Sequence, residues 1–125
     1  MPWTFKISTG EMLNSDGSLL AVGGAGCGAG FNNPAMQNVV NVGPIPVGKY
    51  LIAWAISHPG LGPVAMRLYS HPSNNMFGRS DFWLHGWSAT LGIKQSSNGC
   101  VLLTRSARDI IAASDDRVLN VVEGG

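Results

Sequence analysis

The sequence predicts a single, mostly β domain over residues 1–125, with one or two short helices at the margins of its sheet. Three observations lead there. A chain of 125 residues with 45% hydrophobic content is long enough to close one core of its own and too short for two ordinary domains. Charged residues make up only 12%, while 17 Gly and 7 Pro mark many tight turns rather than long solvated helices. The first segment alternates with the period of a half-buried strand, Trp3, Phe5 and Ile7 on one side and Thr4, Lys6 and Ser8 on the other.

The elements follow in order. After the turn pair Thr9-Gly10, Glu11–Asn14 returns as a second strand, and beyond Asp16-Gly17 the segment Ser18–Val22 makes the third strand of a meander. Gly23–Gly30 reads as a flexible or closely packed loop. Its glycines lack the P-loop pattern, and the strand-rich context offers no βαβ unit for a dinucleotide fingerprint. Asn33 and Pro34 supply an N-cap and a first-turn proline for a single helical turn through Gln37. Gly43, Pro44, Pro46 and Gly48 fix a rigid turn ahead of an apolar strand over Lys49–Ile56. Strands are placed at Val64–Tyr69, Phe82–Gly86 and Val101–Leu103. Thr104 caps a helix over Arg105–Ala113 with Ala107, Ile110 and Ile111 as its core face, and Val118–Val122 forms the last strand.

Charge and hydropathy remove several functional classes. Eight basic and seven acidic side chains give a formal charge of +1, without the Lys/Arg cluster that phosphate-backbone binding requires, so nucleic acid is not an expected partner. The longest apolar run, Tyr50–Ile56, falls far short of the roughly 20 residues that span a bilayer, and no membrane insertion is expected. The amino terminus has neither the basic start nor the apolar stretch of a secretory signal, so the chain is read as soluble and made in the cytoplasm without an export signal. Two cysteines are too few for a disulfide scaffold, although a single bridge between Cys27 and Cys100 is permitted, and oxidation would then switch off Cys100.

Chemistry concentrates between Phe82 and Leu103. Ser97-Asn98-Gly99 places small, turn-forming residues before Cys100, and an aliphatic strand follows it, which displays the sulfur at a loop-to-strand junction. A thiol with an ordinary pKa of about 8.5 needs a neighbouring base at neutral pH. His85, at the end of the preceding strand, fills that role if the two strands are neighbours, and the N–H groups of Gly99 and Cys100 are candidates to hold an oxyanion.

These residues carry a resemblance. His85-Gly86 followed by Ser97-x-Gly99-Cys100 and an aliphatic strand resembles the catalytic motif of L,D-transpeptidases (YkuD-like), and Gly43–Tyr50 resembles the Pro- and Gly-marked turn that precedes a strand in that family. The amino-terminal meander, Asn32-Asn33-Pro34 and Met76–Ser80 extend the resemblance to the Tlde1-like type VI secretion effectors. The resemblance implies an L,D-transpeptidase-like β-sandwich or barrel. It also implies a toxin injected into the periplasm of competing bacteria, with peptidoglycan tetrapeptide stems as substrate, water or a D-amino acid as acceptor, a cognate immunity protein, and no cofactor. Two positions depart from the wider family. Asn98 stands where a second histidine usually precedes Gly-Cys, which leaves the base role to His85, and Leu102 stands where an arginine is usual, so Arg79 or Arg105 is the candidate cation for the stem carboxylate.

Other residues admit two readings each. Ser97 either orients His85 or contacts substrate, or it is a turn hydroxyl closing the loop before Gly99. Trp83 and Trp87 alternate about His85, core packing being the favoured role, with Trp87 and Asn98 as candidates to contact substrate. His58 and His71 precede prolines and are read as surface residues, and no metal-ligand spacing supports a zinc site. The non-enzymatic rival is a binding module that keeps the scaffold after its active site has decayed. The enzymatic rival is a Cys/His amidase or endopeptidase cutting another stem bond.

Overall fold

A computed structural model describes residues 2–124; the two ends of the predicted domain, residues 1 and 125, lie outside the described residues. The strands are β1 (Trp3–Lys6), β2 (Glu11–Leu13), β3 (Leu19–Val22), β4 (Gly24–Ala25), β5 (Gly48–Ile52), β6 (Ile56–His58), β7 (Gly62–Ser70), β8 (Phe82–His85), β9 (Val101–Leu102) and β10 (Val118–Val122). Helix α1 (Arg105–Ala113) lies between the last two. Three single 3₁₀ turns, Gly28–Gly30, Pro34–Met36 and Ile93–Gln95, complete the described elements.

The strands form one sheet in the order β3-β2-β1-β10-β5-β7-β8-β9-β4, with β6 paired to β7 off that path. β3 and β4 occupy the two ends of this order, yet in the chain only Gly23 separates them. The sheet therefore curls until its edges nearly meet, giving a barrel-like, mostly β fold with a single α-helix among the described residues. Most pairings are antiparallel; β1 with β10 and β8 with β9 are parallel.

Period-two alternation puts Trp3, Phe5 and Ile7 into the core while Thr4 and Lys6 stay partly exposed. Met12, Tyr50, Met66, Leu84, Val101 and Leu119 join them as fully buried side chains. Asn33 accepts the Ala35 N–H at 3.1 Å and starts the predicted turn, and Thr104 accepts the Ala107 N–H at 3.4 Å at the start of α1.

Three expectations are corrected. The Gly23–Gly30 loop contains β4, because Gly24 and Ala25 pair with Leu102 and Val101. The strand expected over Lys49–Ile56 breaks after Ile52, because Arg117 donates to the Ile52 and Ala53 carbonyls at 3.2 and 2.6 Å and so takes acceptors that a continuing ladder would use. On α1 the buried face is Ala107, Arg108 and Ile111, while Ile110 is 50% exposed. At 100° per residue, positions 108 and 110 flank the 107/111 line on opposite sides. Packing against β7 selects the arginine, whose donors find carbonyls there, over the isoleucine.

Candidate active site

The crossover from β8 to β9 runs from Gly86 to Cys100 and returns the chain alongside the strand it left. The parallel register pairs Leu84 with Val101 and His85 with Leu102. Leu84 and Val101 enter the core, so alternation puts Trp83 and His85 on the opposite face, and Cys100, one residue before β9, falls beside Trp83 on that same face. The Trp83 N–H donates to Cys100 Sγ at 3.3 Å, so sulfur stands where a strand partner's carbonyl would normally accept. Burial pushes the Cys100 thiol up to about 11; the Trp83 N–H acts in the other direction, the Asp81 charge adds to the rise and the Arg79 charge opposes it. The resting sulfur is a protonated thiol.

His85 is 4% exposed, and its Nδ1 lies 2.7 Å from the Gly86 carbonyl oxygen. A carbonyl only accepts, so Nδ1 carries the proton of the neutral ring and Nε2 keeps a free lone pair. Burial lowers the His85 pKa below 6.5; the Gly86 carbonyl works against this, and the Arg108 and His58 charges add to it. A neutral imidazole with an unprotonated Nε2 is the state a general base needs.

His58 belongs to this site, in contrast to the surface position expected for it. It ends β6, which turns back on β7, and it is half-buried. Its Nδ1 accepts the N–H groups of Gly60 and Leu61 at 2.9 and 3.1 Å, and its ring packs edge-on against Trp83 with centroids 4.9 Å apart. His71 is exposed, as expected.

The loop before Cys100 closes on itself. Ser97 Oγ donates to the Cys100 carbonyl at 2.8 Å and accepts the Gly99 N–H at 2.9 Å, with the Gly26 N–H at 3.4 Å. Ser97 therefore takes the loop-closing role, and no hydrogen bond joins it to His85. The Gly99 N–H is occupied by that hydroxyl, which leaves the Cys100 N–H as the backbone donor beside the sulfur. Gly99 has φ 133°, and a Cβ there would fall 2.5 Å from Arg79 Nη2. Arg79 is buried beneath the loop. Its Nη1 donates to the carbonyls of Gln37 and Pro44 at 2.7 and 2.8 Å, and its Nη2 to those of Gly43 and Asn98 at 3.0 and 3.1 Å. The Pro- and Gly-marked turn and the loop before Cys100 are thus tied to one guanidinium, which also lies over the Phe82 ring at 5.1 Å.

A cleft of about 950 Å³ opens over this face. Cys100, His85, His58, Asn98, Trp83 and Trp87 line it; Trp87 is 36% exposed, and neither tryptophan is a fully buried core residue. Arg79 reaches its wall with all four of its hydrogen bonds committed to carbonyls, whereas Arg105 lies outside it, paired with Asp109 at 3.0 Å. The arginine that sequence reasoning missed is Arg108, which also lines the cleft. Helical position gave no signal that singles it out, because Ile110 flanks the 107/111 line equally and is the more apolar.

Cys27 and Cys100 are both free thiols. Among the described residues no group of three His, Cys, Asp or Glu side chains is arranged to hold a metal ion, and no helix is long and apolar enough to cross a membrane.

Comparison with curated proteins returned no match, and neither did comparison with solved structures. A family model described as the Tlde1 domain matches residues 22–123, which takes in β4 through β10, the loop before Cys100 and every cleft residue named above. The chain therefore belongs to the Tlde1 domain family, a family of type VI secretion effectors.

Proposed function

We propose that this effector is a cysteine acyltransferase of the L,D-transpeptidase type that acts on peptidoglycan tetrapeptide stems in the periplasm of target bacteria. The observation that carries the proposal is the placing of Cys100 and His85 on one face of the parallel β8–β9 pair, inside one cleft, with His85 Nδ1–H bound to the Gly86 carbonyl. Strands about 4.8 Å apart with a rise of about 3.3 Å per residue put two α-carbons that are offset by two positions roughly 8 Å apart. Cys100 Sγ is held by the Trp83 N–H and His85 Nδ1 by the Gly86 carbonyl, so the proton transfer requires the two side chains to turn toward each other across that distance.

The chemistry follows from these protonation states. As Cys100 Sγ attacks the carbonyl carbon of the third stem residue, its proton passes to His85 Nε2 and the Cys100 N–H faces the developing oxyanion. Collapse breaks the C–N bond, His85 returns the proton to the departing amine of D-alanine, and a thioester remains. Water then gives the shortened stem as a free acid. The amine of a D-amino acid gives exchange instead, and His85 takes the acceptor's proton in either case.

The test is mass spectrometry of disaccharide-tetrapeptide incubated with the wild type and with Cys100→Ala, with and without D-methionine. Loss or replacement of one alanine by the wild type alone supports the proposal. Release of a longer peptide would instead identify an amidase or endopeptidase. Binding without turnover by freshly reduced wild type would identify a module without catalysis. Toxicity of a catalytic effector to its producer further calls for an immunity protein, which would be expected to cover this cleft.

A further inference from the structure

Arg108 is 7% exposed, and its guanidinium is only partly satisfied. Nε donates to the Leu103 carbonyl at 3.1 Å, and Nη1 to the carbonyls of Pro63 and Val64 at 2.7 and 3.3 Å. Val64 holds its part of this cradle at φ 54°, a conformation that β-branched residues rarely adopt. Nη2 has no acceptor among the described residues. Among the described residues no buried side-chain nitrogen lacks a partner, so the free Nη2 N–H groups are not sealed in the interior; they open onto the cleft that Arg108 lines. Nor does any carboxylate lie within 4 Å of this guanidinium among the described residues, since the nearby Asp109 is paired with Arg105. Carbonyl dipoles orient the cation, and the acidic charge that acts on it, Asp109, is engaged by Arg105.

Its position relative to the reacting atoms indicates which anion it takes. A Cβ on Gly86 would fall 2.6 Å from Arg108 Nη2, so the absence of a side chain next to His85 is what admits the guanidinium. Along β8 the order is Cys100 beside Trp83, then His85, then Arg108 beside Gly86, with the imidazole between nucleophile and cation. In the acyl-transfer reading, on which this inference rests, His85 protonates the departing amine. The α-carboxylate of that amino acid lies one carbon beyond its nitrogen, on the side away from Cys100.

We infer that Arg108 binds the terminal α-carboxylate of the leaving residue, and the same carboxylate of an incoming amino acid acceptor. It is a substrate-binding residue that makes the cleft selective for a free carboxyl terminus, and hence for removing or exchanging one terminal residue over internal cleavage. Acceptor and leaving group share the site because aminolysis of the thioester is the leaving step reversed.

The experiment compares a tetrapeptide stem bearing a free carboxyl terminus with its C-terminal carboxamide, on the wild type, Arg108→Gln and Arg108→Lys. A third substrate has a free terminus and an amidated side-chain carboxylate on the third residue. The wild type is expected to favour the free terminus over the carboxamide by on the order of 10–100-fold in kcat/KM, as for a charge-assisted hydrogen bond. In Arg108→Gln that ratio falls to within about threefold through loss of the free-acid rate alone, and Arg108→Lys keeps part of it. An equal fall on both substrates, which a merely structural arginine would cause, overturns the inference. So does a wild type that does not discriminate, or discrimination that follows the third residue's carboxylate. If the wild type turns over no substrate, the acyl-transfer reading fails and the inference is judged by calorimetry on Cys100→Ala. There, tighter binding of the free acid that Arg108→Gln abolishes supports it, and equal affinities overturn it.

Discussion

The backbone N–H of Trp83 donates to the sulfur of Cys100 at 3.3 Å, across the parallel junction of β8 and β9. The sulfur is thereby held against a strand rather than free at a loop tip, in a setting that burial makes hostile to the thiolate. The first prediction follows from that conflict.

Alkylation of Cys100 by iodoacetamide in a Cys27→Ser background is expected to accelerate with pH throughout the range from 7 to 10. The thiol is pushed up to about 11, so the thiolate fraction is still rising there by about tenfold per pH unit. Intact-mass kinetics measure this. A rate that levels off below pH 8 would show a thiolate–imidazolium pair in place of a neutral thiol and imidazole.

His85 sets the acid limb. Burial, with the Arg108 and His58 charges, lowers its pKa below 6.5, so kcat/KM for D-alanine release should hold at pH 6.5 and fall only further into acid. Stability follows the same sign. The unfolded chain binds the proton first, so folding free energy contributed by neutral His85 is present above pH 6.5 and lost as pH drops below it. Urea denaturation at several pH values should show this slope in the wild type and a shallower one in His85→Gln.

Arg79 carries the loop before Cys100. Arg79→Met deletes four hydrogen bonds to the carbonyls of Gln37, Gly43, Pro44 and Asn98 and should cost about 3–5 kcal/mol, with Arg79→Lys less damaging. Gly99→Ala should destabilise by about 1–3 kcal/mol through its φ of 133° and the approach of Arg79 Nη2, and should lower activity with it. Chemical denaturation with parallel stem-hydrolysis assays checks both.

The two isoleucines of α1 separate in the same way. Ile111→Ala removes a fully buried side chain and should cost about 2–5 kcal/mol, whereas Ile110→Lys changes an exposed position and should stay within about 0.5 kcal/mol. Thermal melts of the two variants are sufficient.

Much of the fold was readable because its signals are local. Alternation in Trp3–Ile7, the Asn33-Pro34 start and the Thr104 cap each depend on contacts within a few residues, and each element stands where those signals put it. Ile110 is placed by contacts that lie far away in the chain. Apolarity ranked it above Arg108 for the core, but the carbonyls of Pro63 and Val64 that satisfy the arginine belong to a strand more than forty residues upstream.

The candidate site divides along the same line. By itself the sequence determined the mostly β class, the capped helix and the local pattern around His85 and Cys100, because strand alternation, capping and turn chemistry act over a few residues. Only the tertiary structure decided that the β8–β9 crossover runs parallel and sets these two residues on one face. It also decided that Ser97 occupies the Gly99 N–H, that Arg79 ties the loop to a distant turn, and that His58 and Arg108 complete the cleft. Those outcomes depend on which carbonyls and ring faces the curled sheet brings together, and no short window of sequence contains both partners.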